Sequence, residues 1–557
     1  MPDPVPARTL VPVPLARGRN GAVVAPHHLA TATGLAVLRV GGNAVDAAVA
    51  TNAALAVVTA HSCGLGGDAF WLIHPGDGDP WRESGTFSAL NGSGRAAAAA
   101  SIEAYRALGH ARVPFRGPLS ITVPGAVRSW GDAVRRFGSW PFGRLLEAAI
   151  ELAEGFPASA GWIGAIERSA AVFGSEGDWA RVFRPHGRPW RHGEIVRLPA
   201  LAATLRRLGS DGPDDLYEGS LAARQAAFLA ASGSPIRAAD LHNHASDWGE
   251  PIGTDYRRVR ATSHPPNSSG AVALQLLNVL ATFDPPSPDV FAGGAGADAR
   301  RVHLGIEAAK LTLAEREREL TDPDAMEPGA LERLLSPERA AELAARIDPA
   351  RAAPPTPYTP AGGGTVYLAT ADRWGGAVSL IQSNWAGFGS GVVDPETGIA
   401  YQNRGSFFSL DPAHRNALAP GKRTLHTLAP GMLFRDGRPW VVHGSMGGDI
   451  QPQVFAQLVS GLIDGGLDVA AAVAAPRWGV EPPEHFVPPE RVTVEPRFGP
   501  GVVDELRRLG HQVDLVEPFS SDLGHCHAIE LVRDDSGALA GFAAAADPRT
   551  EGLPAMF

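Results

Sequence analysis

Between Asp348 and Gly364 the chain reads DPARAAPPTPYTPAGGG, and no other stretch constrains the fold so strongly. Four prolines after Asp348–Pro349 stiffen this segment, and Gly362, Gly363 and Gly364 free its end. The sequence changes character across it. Upstream, residues 101–232 carry apolar residues at helical spacing, as in SWPFGRLLEAAIELAEGF and SLAARQAAFLAAS. Downstream, from Thr365, the chain reads as strands: VYLATA, AVSLIQS, RPWVVHG, RVTVEP and AIELVRD, with helices expected at 453–464 and 502–509. A mostly helical part followed by a mostly stranded one predicts an α+β layered fold.

The N-terminal part adds detail. Residues 1–30 read as a Pro-rich arm with a short strand near Ala22–Ala25. In GGNAVDAAVATNAALAVVTA, Asn43 can cap a helix, with Asp46 in its first turn. Small and apolar residues on nearly every face of that helix mean it is buried. The Gly-rich turn HSCGLGGDAF then leads into the apolar run 69–73, and residues 285–300 read as a surface loop.

Composition closes off other classes. The net charge is -10, so there is no general basic field for nucleic acid. Two cysteines, Cys63 and Cys526, cannot build a disulfide framework or a four-cysteine zinc site. No run is long and apolar enough to span a membrane, and the N-terminus has no signal-like apolar run. The expectation is a cytoplasmic protein.

Thr365 stands at the junction of linker and strand. A hydroxyl there can attack the preceding carbonyl, shift the acyl group from N to O, and let water cleave the ester. Cleavage between Gly364 and Thr365 would free the Thr365 α-amine. With a pKa of about 7.7–8.0, that amine can act as base for its own hydroxyl. An ordinary strand-initiating threonine has the same local pattern. If VYLATAD and AVSLIQS form a hairpin turning at Trp374, Thr365 faces Ser383, roughly 5 Å away at Cβ. Ser383 could then support the Thr365 oxygen, or the two could be a plain Thr–Ser pair. In HGSMGGD, Gly447 and Gly448 follow a strand and can offer backbone N–H groups to an oxyanion, or simply form a turn.

The set of motifs resembles the γ-glutamyltranspeptidase family of N-terminal-nucleophile hydrolases. The segments are GGNAVDAAVATNAALAVV with GLGGDAF, TVPGAVRSW, SHPPNSSGAVALQLL, GGGTVYLATAD, SNWAGFGSGVVDPETGI, GKRTLHTLAPGM, HGSMGGDIQPQ, AAPRW and DPR, in family order. The resemblance implies a four-layer αββα sandwich and a precursor cut before Thr365. It implies two intertwined subunits, 1–364 (large) and 365–557 (small). It places Thr365 as nucleophile, Ser383 as supporting hydroxyl and Gly447–Gly448 at the oxyanion hole. No metal or organic cofactor is implied. The partners are a small amide and a water or amine acceptor, and the two fragments form a heterodimer.

The chain departs from the usual family pattern where the substrate is held. Ser93 stands at the position of the carboxylate-gripping arginine, and Arg95 two residues on is the candidate substitute. In QNRGSFF, Asn403 is kept, Arg404 replaces a glutamine and Phe407 replaces an aspartate; His426–Thr427 replaces a Ser–Ser pair. A carboxylate that would pair with an ammonium has gone, and a cation has arrived. This suits a substrate with a carboxylate and no ammonium, with Arg404, Asn403, Arg95, His426 and Thr427 as candidate ligands; Arg404 in a structural ion pair is the other reading. The pattern resembles the cytoplasmic branch of the family and its oxamate-hydrolysing members. The expectation is a self-processing Thr amidohydrolase forming an acyl-Thr365 ester. The alternatives are γ-glutamyl hydrolysis or transfer, and an uncleaved binding protein. His242 and His244 read as loop residues rather than a metal pair; Cys63, His61 and Ser62 lack motif partners; Ser268–Ser269 read as pocket wall.

Overall fold

The computed structural model describes residues 13–76, 78, 86–285, 298–354, 364–480 and 491–557. Its centre is a pair of seven-stranded sheets with antiparallel pairing throughout. One sheet runs in the order Ala555–Met556, Gly21–Val24, Gly364–Asp372, Ala377–Trp385, Asp68–His74, Ser88–Gly92 and Asp247–Gly249. The other runs Ala16–Gly18, Leu539–Ala545, His525–Arg533, Arg438–Met446, Gly431–Arg435, Val259–Ser263 and Ile252–Tyr256. Strands from both sides of Thr365 interleave in each sheet.

Alternation of side chains along the strands builds the layers. Phe70, Tyr367 and Ile381 of the first sheet meet Met432, Val442 and Ile529 of the second in a buried interior. The opposite face of the first sheet (Ala69, Val366, Leu368, Leu380) packs on the helix Ala44–Val58 and its neighbours. The outer face of the second, including Leu433 and Val441, packs on the helices Gly270–Ala281, Ala299–Glu319 and Gln451–Ile463. The result is the αββα sandwich expected from the sequence.

The helix Ala44–Val58 is buried along its whole length, and Asn43 with Asp46 forms its capping box. It also fixes the central hairpin. The Asp372 carboxylate, at the hairpin turn, accepts from the N–H groups of Ala44 (2.9 Å), Trp374 (3.0 Å) and Gly376 (2.9 Å). One side chain thus closes the turn and caps the helix start. The helices expected at 453–464 and 502–509 are found at Gln451–Ile463 and Pro500–Arg508. The helix His28–Arg39 begins inside the segment read as an arm; its cap is the His27 imidazole, which accepts from Leu29 N–H, rather than a hydroxyl or carboxylate. Of the expected surface loop, residues 286–297 lie outside the described residues, as do 355–363 of the linker.

Candidate active site

The hairpin of Gly364–Asp372 and Ala377–Trp385 has the register expected from a turn at Trp374, with Thr365 opposite Ser383. The register breaks at Gly364, which pairs with Trp385 instead. A bulge of this kind re-aims the backbone next to it. Trp385 takes φ 75°, a left-handed value that costs a bulky residue energy and concentrates at functional sites.

Thr365 is 2% exposed, and its Oγ1 lies 2.9 Å from Ser383 Oγ. Ser383 Oγ also contacts the Gly364 carbonyl oxygen at 2.9 Å and accepts from Trp385 N–H at 2.8 Å. A hydroxyl has one proton to give. Given to the Gly364 carbonyl, it polarises the bond before Thr365 and leaves Ser383 as acceptor for the Thr365 hydroxyl.

Arg404 opens a short helical turn, Arg404–Phe407, and is 1% exposed. Its guanidinium lies over the rings of Trp385 (4.5 Å) and Phe407 (5.3 Å), and Nη2 reaches Ser383 Oγ at 3.5 Å. Nε and Nη1 are buried without a hydrogen-bond partner among the described residues. Burial draws its pKa down to about 9, against the opposing pull of Asp68 and Asp449. Phe407 therefore supplies a ring for the cation to stack on.

Asp68 was not anticipated. It pairs across the sheet with Ser383, so Thr365, Ser383 and Asp68 form one row over three adjacent strands. Its Oδ1 accepts from Gly94 N–H, while Oδ2 has no hydrogen-bond partner among the described residues and lies 3.5 Å from His426 Nε2. Burial raises its carboxyl to about 7, although Arg404 favours the charged form. Burial likewise holds His426 well below the usual histidine value, so the imidazole is neutral. Thr427 Oγ1 is buried without a hydrogen-bond partner among the described residues. Asp68 opens the strand that follows the Gly-rich turn, and only the long-range strand pairing reveals it.

The other candidates are placed as follows. Asn403 uses its amide on the backbone, accepting from Ala386 N–H (3.0 Å) and donating to Phe115 C=O (2.7 Å). Arg95 pairs with Asp247 and Asp322 and donates to Gly421 C=O. Ser93 bonds Asn91, and its carbonyl accepts from the buried Arg423, a residue the sequence did not single out. Gly447 (φ 129°) and Gly448 (φ 59°) form the turn after Arg438–Met446, in a backbone form that excludes most side chains. The next residue, Asp449, is ion-paired with the fully buried Arg316. His244 is buried against Tyr217, and the Cys63 thiol is pushed up to about 12 by burial, which leaves it inert. Ser268 and Ser269 donate to the carbonyls of Leu428 and His426, and so brace the segment carrying His426–Thr427.

The γ-glutamyltranspeptidase family model matches residues 30–557. The chain is 40% identical to the oxamate amidohydrolase proenzyme of Klebsiella pneumoniae over 551 residues, covering 97% of this chain and 98% of that one. It is 37% identical to the glutathione hydrolase-like YwrD proenzyme of Bacillus subtilis over 539 residues, covering 96% and 98%. A crystal structure of cephalosporin acylase from Bacillus halodurans matches with a TM-score of 0.88 at 37% identity, covering 100% of this chain and 99% of that one. With the sandwich, the Thr365–Ser383 pair and these matches in agreement, the chain belongs to the γ-glutamyltranspeptidase family and is an enzyme of it.

Proposed function

We propose that this protein is a self-processing amidohydrolase whose nucleophile is Thr365 and whose substrates are small acyl amides bearing a carboxylate close to the scissile carbonyl, oxamate among them. The observation that carries this reading is the position of Arg404. Its guanidinium is one contact from Ser383, which is one contact from Thr365, and two of its nitrogens lack partners. A carboxylate that meets those N–H groups sits next to the carbon that Thr365 attacks, which suits a short acyl group.

The chemistry runs in two stages. In the precursor, Thr365 Oγ1 attacks the Gly364 carbonyl carbon while Ser383 polarises its oxygen. Collapse to the ester moves the acyl group to Oγ1 and leaves the proton on the Thr365 nitrogen; water then releases the 1–364 fragment. In the mature enzyme the free α-amine takes the Oγ1 proton as Thr365 attacks the substrate amide. Ser383, relieved of the Gly364 carbonyl, supports the nucleophile, and the Gly447–Gly448 turn receives the oxyanion. The amine or ammonia leaves, and water or an amine resolves acyl-Thr365. The similarity to an oxamate amidohydrolase proenzyme supports both the cleavage and the acyl group.

One observation favours a second reading, action on γ-glutamyl amides. The Asp68 carboxylate has an unpartnered oxygen that can receive an ammonium. The test is kcat/KM for oxamate, glutaryl amides and γ-glutamyl-p-nitroanilide. The first reading expects the amine-free substrates to win; a γ-glutamyl preference of more than about tenfold, roughly 1.4 kcal/mol, gives the site to the second.

A further inference from the structure

A second buried polar cluster lies away from Thr365. His303, Glu307 and Lys310 share one face of the helix Ala299–Glu319, and His511 follows the helix Pro500–Arg508. All four are buried. His303 Nε2 lies 2.8 Å from the Asp348 carbonyl, to which it donates. His303 Nδ1 is 2.7 Å from His511 Nε2, so one of these ring nitrogens donates to the other. Glu307 accepts from Ala353 N–H at 3.1 Å and pairs with Lys310 Nζ at 2.9 Å, while Lys310 reaches the Ala353 carbonyl at 3.4 Å. Ala352 N–H donates to the Leu509 carbonyl at 2.7 Å. Residues 348–353, at the start of the linker, are thus gripped by groups from both sides of the Gly364–Thr365 bond.

His303, Glu307 and His511 lie close enough together to invite a metal ion. The hydrogen bonding argues against one. The His–His bond uses the lone pair and proton that two ligands would need free, and the Lys310 ammonium already stands against Glu307. Burial with Lys310 nearby draws His511 down to about 3, which keeps the neutral ring the bond requires.

We infer that His303, Glu307, Lys310 and His511 form an inter-fragment lock. It holds residues 348–353 of the first fragment on the second, fixes where the span leading to Thr365 begins, and tethers the new C-terminal tail after the cut. The lock rests on the proposed cleavage for its role, and its geometry holds in the intact chain as well. In a sheet sandwich whose strands already interleave, its particular work is on the tail and on delivery of the scissile bond.

Hydrogen exchange read by mass spectrometry at residues 348–353, with the rate of appearance of the two fragments, tests it. In the wild-type protein the amides of Ala352 and Ala353 should be protected. His511→Ala should speed their exchange at least tenfold and slow fragment appearance several-fold, with kcat and KM of the matured enzyme unchanged. His511→Gln, which keeps an N–H donor for His303, should restore both. Free exchange of these amides in the wild type, no change in His511→Ala, or a stoichiometric transition metal in the purified protein would each overturn the lock. Absence of two fragments in the wild type would instead refute the cleavage, with the exchange data still reporting on the lock.

Discussion

At the scale of single residues, Ser383 is the most connected group in the site. It touches Thr365 Oγ1, the Gly364 carbonyl, Trp385 N–H and the Arg404 guanidinium. Ser383→Ala removes one supporting hydrogen bond from a reacting oxygen, worth about 1–3 kcal/mol, or about ten- to a hundredfold in rate. Both self-cleavage and turnover should slow by that factor while the protein still folds, its melting temperature lowered because the buried Trp385 N–H loses its acceptor; wild-type rates would remove Ser383 from the chemistry. Arg404→Lys keeps the charge but loses the planar fork and the stacking on Trp385 and Phe407. For a carboxylate-bearing amide, steady-state kinetics should show KM raised more than kcat is lowered. The Thr365–Ser383 pair was legible in the sequence because a two-strand hairpin fixes its own register. Asp68 was not, because its place beside Ser383 depends on a strand more than 300 residues earlier in the chain. The unpartnered nitrogens of Arg404 were not legible either, since they are a property of the assembled walls.

At the scale of elements, the hairpin that carries Thr365 is set by its far end. Asp372 binds the turn and the first turn of the helix Ala44–Val58, and Thr370 Oγ1 donates to the Ala44 carbonyl at 2.6 Å. Asp372→Ala leaves buried N–H groups without an acceptor. We expect a loss of about 1–3 kcal/mol per orphaned group, seen as a lower urea midpoint, together with slower self-cleavage as the register loosens. An unchanged midpoint would mean the clamp does not hold the hairpin. The helix itself was readable from Asn43, Asp46 and its uniformly small, apolar residues. Its partnership with the hairpin turn was not, because a carboxylate in a turn looks alike whether it binds its own loop or a distant helix.

At the scale of the whole molecule, the sandwich interior and its flanks hold several neutral histidines. Burial lowers His264 to about 4, and His443 and His527 to about 3. An unfolded chain protonates these groups near pH 6.5, so between that pH and about 4 unfolding takes up protons. Stability therefore falls on acidification through this window, by about 1.4 kcal/mol per pH unit for each group. Asp68 acts the other way, since its raised carboxyl loses stability as pH rises from about 4 to 7. With His426 and His511 lowered as well, the buried histidines outweigh Asp68 and leave a net loss in acid, and urea midpoints at pH 7 and pH 5 should differ in that sense. Equal midpoints would mean these histidines titrate normally.

The same whole-molecule view gives the linker its meaning. Residues 348–353 are fastened on one side, and Gly364 enters the central sheet with its carbonyl already held by Ser383. The intact mass of the freshly purified protein, with N-terminal sequencing of its smaller component, tests this most directly. Two fragments are expected, 1–364 and 365–557, the second beginning TVYLAT, and a single full-length chain for Thr365→Ala. A wild-type chain that stays whole yet hydrolyses amides, or a Thr365→Ala chain that still splits at this bond, would contradict it.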